Sequence, residues 1–121
     1  MLRTIRKGDP ELRATLIELR KASRSHHAPI WAAVAERLDR PRHQIQPVNV
    51  SRLERIARES ETVVVAGKLL AAGTLRKKVT VAAYRFSVGA REKVQSAGGQ
   101  AITIHELIHS NAEGKGVRLL G

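Results

Sequence analysis

One short segment of the sequence has the spacing of a metal site. His105-Glu106-Leu107-Ile108-His109 sets two histidines at i and i+4, so both would lie on one helix face and could bind zinc, with the glutamate as general base of a peptidase. The competing interpretation is a helix start, because Thr103 and Glu106 also have capping-box spacing. Neither a third histidine nor the glycine of the longer metalloprotease motif follows His109. We therefore interpret the zinc-dependent peptidase motif as a chance match, and we expect no metal and no cofactor.

The rest of the sequence contains no recognisable catalytic motif. The sequence contains no cysteine, which excludes disulfides, thiolate metal sites and cysteine nucleophiles. Gly67-Lys68 follows an apolar run, but it lacks the upstream glycine and the following Ser or Thr of a phosphate-binding loop. The nine Glu and two Asp are scattered, so no paired-carboxylate site is visible. We predict that the protein is not an enzyme and has no small-molecule substrate.

Positive charge dominates the composition. The 121 residues include 22 Lys and Arg against 11 Asp and Glu, a formal net charge of +11 that is spread over both halves of the chain. Such a surface favours anionic partners, either nucleic acid or an acidic membrane. Arg outnumbers Lys by 15 to 7, and its guanidinium fork matches phosphate oxygens. Only three residues are aromatic, too few for stacking on single-stranded bases, so we expect phosphate and groove contacts with a folded nucleic acid.

The strongest predicted anion site lies where a strand is expected to end and a helix to begin. Arg85, Ser87 and Arg91 cluster there, and backbone N–H groups at a helix start also attract phosphate. The residues predicted to contact nucleic acid are Arg24, His26, His27, Arg40, Arg42, Lys68, Lys77, Lys78, Arg85, Ser87, Arg91 and Arg118.

A chromosomal or other duplex-binding basic protein is the rival binding class, but no helix-turn-helix signature supports it.

The first third of the chain reads as helices. Asp9-Pro10-Glu11 combines an N-cap, a proline at the first helical position and an acid in the first turn, which predicts a helix to about Ala22. A polar loop should cover 23–27, and a second helix should run from Pro29 to before Pro41.

The remainder alternates short apolar strands with helices. The predicted elements are an edge strand within 45–50, a helix capped by Ser51 and running to about Arg58, strands at 62–66 (ended by Gly67) and 79–84, a helix capped by Ser87 and stopped by Gly98-Gly99, a strand at 101–102 and a last helix opened by Thr103. This alternation predicts an α/β fold with a small sheet.

We expect one domain over 1–121, made of a basic N-terminal arm (1–8), a helix pair (9–40) and an α/β core (44–121). No apolar run reaches the length of a membrane span and no signal peptide is visible, so we expect a cytoplasmic protein without a membrane partner.

The run VVVAGKLLAAGTLRKKVTVAAYRFSVGAREKVQSAGGQAITI, residues 63–104, resembles a family of large-subunit ribosomal proteins. The family is the archaeal and eukaryotic L-eighteen-e type, related to the bacterial L-fifteen family. The ordered features are the Gly-Lys pair, the KVTVAA strand, the FSxGAREK helix start and the AGG before the last strand and helix. The helix pair, Asn49-Val50-Ser51 and Gly116-Val117-Arg118 also fit, so the resemblance spans nearly the whole chain.

The resemblance implies N-terminal helices followed by an irregular superhelix of β-β-α turns. It also implies binding to large-subunit ribosomal RNA beside neighbouring ribosomal proteins, and no catalysis. The compact length without extensions is typical of archaeal members. The individual RNA contacts given above rest on charge and position, because the resemblance transfers none of them.

Overall fold

The computed structural model describes residues 9–41 and 44–120, and helices cover both faces of one sheet. The helices are α1 (Pro10–Ser25), α2 (Pro29–Leu38), α3 (Val50–Ile56), α4 (Val88–Ser96) and α5 (Ile104–Ser110). The strands are β1 (Val48–Asn49), β2 (Thr62–Leu70), β3 (Thr80–Phe86), β4 (Gln100–Thr103) and β5 (Val117–Leu120). The predicted α/β class is confirmed, and β2, β3 and α4 form one β-β-α unit.

Every strand pair in the sheet is parallel, and β2 is its centre. One side of β2 pairs with β3, which in turn pairs with β4. The other side is shared by β5, which lies against Thr62 to Val65, and by β1, which lies against Leu69 and Leu70. The parallel arrangement gathers the strand ends into two edges, here called the amino edge and the carboxyl edge.

Alternation along β2 divides the core into two layers. Val63 and Val65 are buried with α3 and α4, whereas Val64 and Ala66 are buried with α1, α2 and α5. A parallel strand covered on both faces needs a continuous apolar run, which is what this segment of the sequence supplies.

The helix pair begins as predicted. Asp9 caps α1 and accepts a hydrogen bond from the Glu11 N–H at 2.9 Å, and Pro10 is the first helical residue. The second helix starts at Pro29 and ends at Leu38. The start of α1 follows from side-chain capping and proline geometry, whereas the start of α2 follows from its proline, since the N-cap residue Ala28 has no capping side chain.

The predicted end of α1 at Ala22 is wrong, because the helix continues to Ser25. His27 adopts a left-handed conformation with φ 49°, and the Ala28 N–H donates to the Ser23 carbonyl at 3.0 Å. This is the Schellman type of helix ending. Three of the five residues of the predicted polar loop, 23–25, therefore belong to the helix.

The predicted cap of α3 is also wrong. Asn49 is the N-cap and Val50 is the first helical residue, so Ser51 lies inside the first turn. The Ser51 N–H donates instead to the Ala72 carbonyl at 3.1 Å. The predicted edge strand therefore shortens to the two residues of β1.

The predicted strand end at Gly67 is wrong as well, since β2 continues to Leu70. Its pairing with β3 shifts register between Val65 and Lys68, which marks a β-bulge. A Cβ at position 67 would lie 3.3 Å from Ile45 Cγ2. Gly67 thus lets the preceding segment pass close to the bulged strand.

The later elements largely follow the predictions. The Ser87 hydroxyl caps α4 by accepting the Ala90 N–H at 3.1 Å. The Thr103–Glu106 capping box that opens α5 is confirmed. The predicted arm over 1–8, Arg42 and His43 lie outside the described residues. In the described part of the chain, no helix is long and apolar enough to cross a membrane.

Candidate nucleic-acid interface

The predicted contact residues fall into separate regions of the fold. Lys68, Arg85, Ser87 and Arg91 lie toward the carboxyl edge of the sheet, because β3 ends at Phe86. They are called the carboxyl-edge cluster below. The sheet brings two of them side by side, since Lys68 and Arg85 are paired across β2 and β3.

Within this cluster, Arg85 is engaged by acidic residues of the same chain. Its Nη2 lies 2.5 Å from Glu11 Oε1 and 3.7 Å from Asp9 Oδ2, and its guanidinium stacks 4.6 Å from the centroid of the Tyr84 ring. The hydrogen bond to Glu11 raises the pKa of Arg85. Arg85 therefore ties the start of α1 to the end of β3.

The other members of the carboxyl-edge cluster are more available. Arg91 is exposed and lies 4.9 Å from the Phe86 ring centroid, a cation–π contact, and its guanidinium donates no hydrogen bond to another described residue. Lys68 is half-buried and forms no hydrogen bond or ion pair with another described residue. The Ser87 oxygen accepts the capping bond from the Ala90 N–H, and this bond leaves the O–H of the same hydroxyl able to donate.

A second group of cations lies at the amino edge, in the turn before β3 and on the residues packed against that turn. It is called the amino-edge cluster and consists of Arg58, Arg76, Lys77, Lys78 and Arg118.

The carboxylates of this region accept hydrogen bonds from backbone amides. Glu54 accepts the Arg76 N–H at 2.9 Å and the Lys77 N–H at 3.3 Å, and Glu59 accepts the Lys78 N–H at 3.2 Å. The bond from Arg76 is the main reason that the pKa of Glu54 is lowered. These carboxylates hold the turn in place through its main chain. The charges of Lys77 and Arg76 also help to lower the pKa of Glu54.

The side chains of Arg76 and Lys78 remain exposed, and neither donates a hydrogen bond or forms an ion pair with a described residue. Lys77 differs, because its Nζ donates to the Ala57 carbonyl at 2.7 Å. The turn therefore presents two cations to solvent on a main chain that is fixed by carboxylates.

Arg118 on β5 also serves the fold. Its Nε donates to Glu61 at 2.8 Å, and the same carboxylate accepts the Arg58 N–H at 2.8 Å. The bond from the Arg58 amide, with the Arg118 guanidinium beside it, holds the pKa of Glu61 below its usual 4.5.

The predicted contacts in the helix pair belong to neither cluster. Arg24 is in the last turn of α1, and His26 and His27 form the ending of that helix. Arg40 is bonded to Glu36 at 2.8 Å. Arg42 lies outside the described residues.

Arg58 and Arg76 were not among the predicted contacts but belong to the amino-edge cluster. Their sequence signal is the basic run at 76–78 and the short basic helix before 58. The two segments are in contact because Glu54 and Glu59 accept hydrogen bonds from the backbone amides of 76–78. These partners are 19 to 23 residues apart in the sequence.

The histidine motif lies on α5 and shows a different geometry from a peptidase. Glu106 is held in the capping box, where its Oε1 accepts the Thr103 N–H at 2.8 Å. His105 Nδ1 instead lies 2.6 Å from Glu18 Oε2 on α1, and His109 Nε2 lies 3.8 Å from the same oxygen. The sequence gives no sign of Glu18 as a neighbour, because it is 87 residues from His105.

Comparison with known proteins identifies similar chains along nearly the whole length. A family model described as "Ribosomal protein 60S L18 and 50S L18e" matches residues 3–121. The large ribosomal subunit protein eL18 of Methanopyrus kandleri is 46% identical over 115 residues, 91% of each chain. The protein of the same name from Methanoregula boonei is 40% identical over 120 residues, 99% of each chain. That of Pyrobaculum aerophilum is 48% identical over 110 residues, 91% of this chain and 90% of the relative.

Proposed function

The chain belongs to the family of ribosomal protein 60S L18 and 50S L18e, as its sequence resemblance predicts, and we propose that it binds and stabilises folded ribosomal RNA as a non-catalytic component of the large subunit. In that role it acts in the cytoplasm, on the ribosome, beside neighbouring ribosomal proteins.

The observation that carries this proposal is the amino-edge turn. The side chains of Arg76 and Lys78 are exposed and donate no hydrogen bond to a described residue, while Glu54 and Glu59 bind the backbone N–H groups of the same two residues. A rigid main chain that presents unpaired cations suits phosphate, because little order has to be created on binding. The overall charge of +11 supports the same partner.

The carboxyl-edge cluster supplies a second contact region through Lys68 and Arg91. The seven residues of β3 separate the two edges, a length of roughly 20 Å at the rise of a β-strand. One side chain cannot span that distance, so each cluster would contact its own phosphates. The protein would thereby hold two segments of RNA at a fixed separation.

Most of the remaining predicted contact residues also have a structural role. Arg85, Ser87, Lys77, Arg40 and Arg118 already bond within the chain, so we assign them to shaping the surface as well as to RNA. Arg24, His26 and His27 are exposed at the end of α1 and remain proposed contacts.

Salt dependence of RNA binding tests the proposal. Purified protein would be titrated onto deproteinised large-subunit ribosomal RNA at several salt concentrations. Each phosphate contact releases condensed counterions and adds roughly 0.7 to 0.9 to the slope of log affinity against log salt. The double variant Arg76→Gln/Lys78→Gln should flatten that slope by about 1.5.

The matched control is Arg20→Gln/Lys115→Gln, which removes the same charge from cations paired with Asp39 and Glu113. It should leave the slope close to that of the unaltered protein. Equal flattening in both double variants would mean that net charge alone attracts RNA, and the assignment to the amino edge would fail.

Competition with duplex DNA separates this function from that of a general duplex-binding protein. Ribosomal RNA should displace the protein from DNA at low excess, whereas a preference for DNA would favour the rival class. The peptidase alternative has no support in the geometry of α5, where Glu106 caps the helix.

A further inference from the structure

We propose that Glu18, His105 and His109 form a surface site for Zn²⁺ that joins α1 to α5. The site differs from the peptidase motif, because its carboxylate comes from another helix.

The three ligand atoms already converge. Glu18 Oε2 lies 2.6 Å from His105 Nδ1 and 3.8 Å from His109 Nε2, and all three atoms lie within 4.8 Å of one another. At zinc–ligand bonds near 2 Å, neighbouring ligands of a tetrahedral ion are about 3.3 Å apart. The histidine side chains are 64% and 68% exposed, so small rotations would bring the atoms to that spacing.

The fold sets this convergence in advance. Leu107 and Ile108, between the two histidines, are buried, and so the rotation of α5 about its axis is fixed with both imidazoles outward. Their ring centroids lie 4.3 Å apart. On α1, Leu16 and Leu19 are buried in the same layer, which holds the helix that carries Glu18 against α5.

The donor set selects the class of metal. Two imidazoles and one carboxylate suit Zn²⁺ and its late first-row neighbours, whereas Mg²⁺ and Ca²⁺ prefer oxygen ligands alone. Three protein ligands leave a position for water. Glu106 is bonded to the Thr103 amide in the capping box, so we assign the site to metal binding and not to hydrolysis.

Calorimetric titration of the full chain with ZnCl₂ at neutral pH tests the site. We expect one zinc ion per chain, and a weakening of at least tenfold in Glu18→Gln and in His109→Ala, since each removes one of three ligands. Zinc should also raise the Tm of the unaltered protein, because the site exists only in the folded chain. Both variants should lose most of that rise.

Two variants serve as controls. His26→Ala removes an exposed histidine outside the cluster and should bind zinc normally. Glu106→Gln keeps a capping-box side chain and should also bind normally. MgCl₂ should give no comparable binding to the unaltered protein.

Three results would overturn the site. They are a stoichiometry well below one, an affinity that Glu18→Gln leaves unchanged, and an equal loss of zinc in Glu106→Gln. None of them bears on the ribosomal role, which the RNA titration tests separately.

Discussion

At the scale of single residues, His27 shows how a predicted contact residue acquires a structural role. A left-handed backbone is usual for glycine at the end of a helix, yet here a histidine holds it with φ 49°. For a residue with a Cβ this conformation costs about 1–2 kcal/mol. The histidine is therefore tolerated at the expense of stability, which is compatible with a role for its exposed ring in RNA contact.

Replacing His27 by glycine should stabilise the protein. The relief of the left-handed strain exceeds the extra chain entropy of glycine, and we expect a gain of about 0.5–1 kcal/mol in the free energy of unfolding. Urea denaturation measures it. The matched control is His26→Gly at φ −113°, which has no such strain to lose and should gain nothing. Equal effects of the two variants would contradict this account.

Arg85 marks a limit of residue-level prediction. Its type and position suggest an anion site, but Glu11 occupies its guanidinium at 2.5 Å. The two residues are 74 positions apart, so no local pattern in the sequence reveals the pair. Arg91 lies in α4, four residues after the N-cap Ser87. Its side chain is exposed, as a contact with phosphate requires.

At the scale of elements, the Gly98-Gly99 pair has two distinct reasons to be glycine. Gly98 has φ 87° and ends α4, whereas a Cβ at Gly99 would overlap the carbonyl oxygen of Val79. The first residue meets a requirement on backbone conformation. The second lets the start of β4 pass against the strand segment beside it.

Substitution of each glycine by alanine should separate these reasons. Gly98→Ala should lower the free energy of unfolding by about 1–2 kcal/mol through left-handed strain alone. Gly99→Ala should cost more, because the contact is with backbone that cannot rotate away, and the approach of β4 to β3 must change. Chemical denaturation of both variants gives the comparison. A smaller loss at position 99 than at 98 would be inconsistent with the close approach.

The helix caps and strand ends also show which parts of the fold can be predicted from the sequence. The caps at Asp9, Ser87 and Thr103 were predicted correctly because each bond spans only two or three residues. The wrong assignments at Ser51 and Gly67 arise where a distant partner decides, namely the Ala72 carbonyl and the side chain of Ile45.

The candidate interface divides in the same way. Composition predicts its charge, and the basic run at 76–78 predicts one of its turns. Which cations stay unpaired depends on carboxylates that the topology brings in, such as Glu59 beneath Lys78. Sequence reasoning therefore finds the partner class and not the set of contacts.

At the scale of the whole molecule, the two edges of the sheet define the proposed mode of binding. Lys68 and Arg91 lie toward one edge, and Arg76 and Lys78 lie at the other. The parallel sheet between them is buried on both faces and acts as a rigid spacer. Two contact regions on one spacer would organise RNA more than either region alone.

Additivity of charge removal tests this arrangement. The double variants Lys68→Gln/Arg91→Gln and Arg76→Gln/Lys78→Gln should each weaken RNA binding, and their combination should weaken it by the sum within about 0.5 kcal/mol. Affinity for large-subunit ribosomal RNA, measured at one salt concentration, provides the test. A quadruple variant no weaker than the stronger double variant would place all four cations on one contact.

The position of β5 has a consequence for biosynthesis. This strand pairs with Thr62 to Val65 of β2, about 55 residues earlier in the chain, and its last residue, Leu120, is buried. Translation proceeds from the N terminus, so the central strand emerges long before the partner that closes its open side. A nascent chain would expose the apolar edge of β2 throughout that interval, when unpaired strand edges invite aggregation. Prompt protection of that edge, by a chaperone or by assembly, would then govern the yield of folded protein.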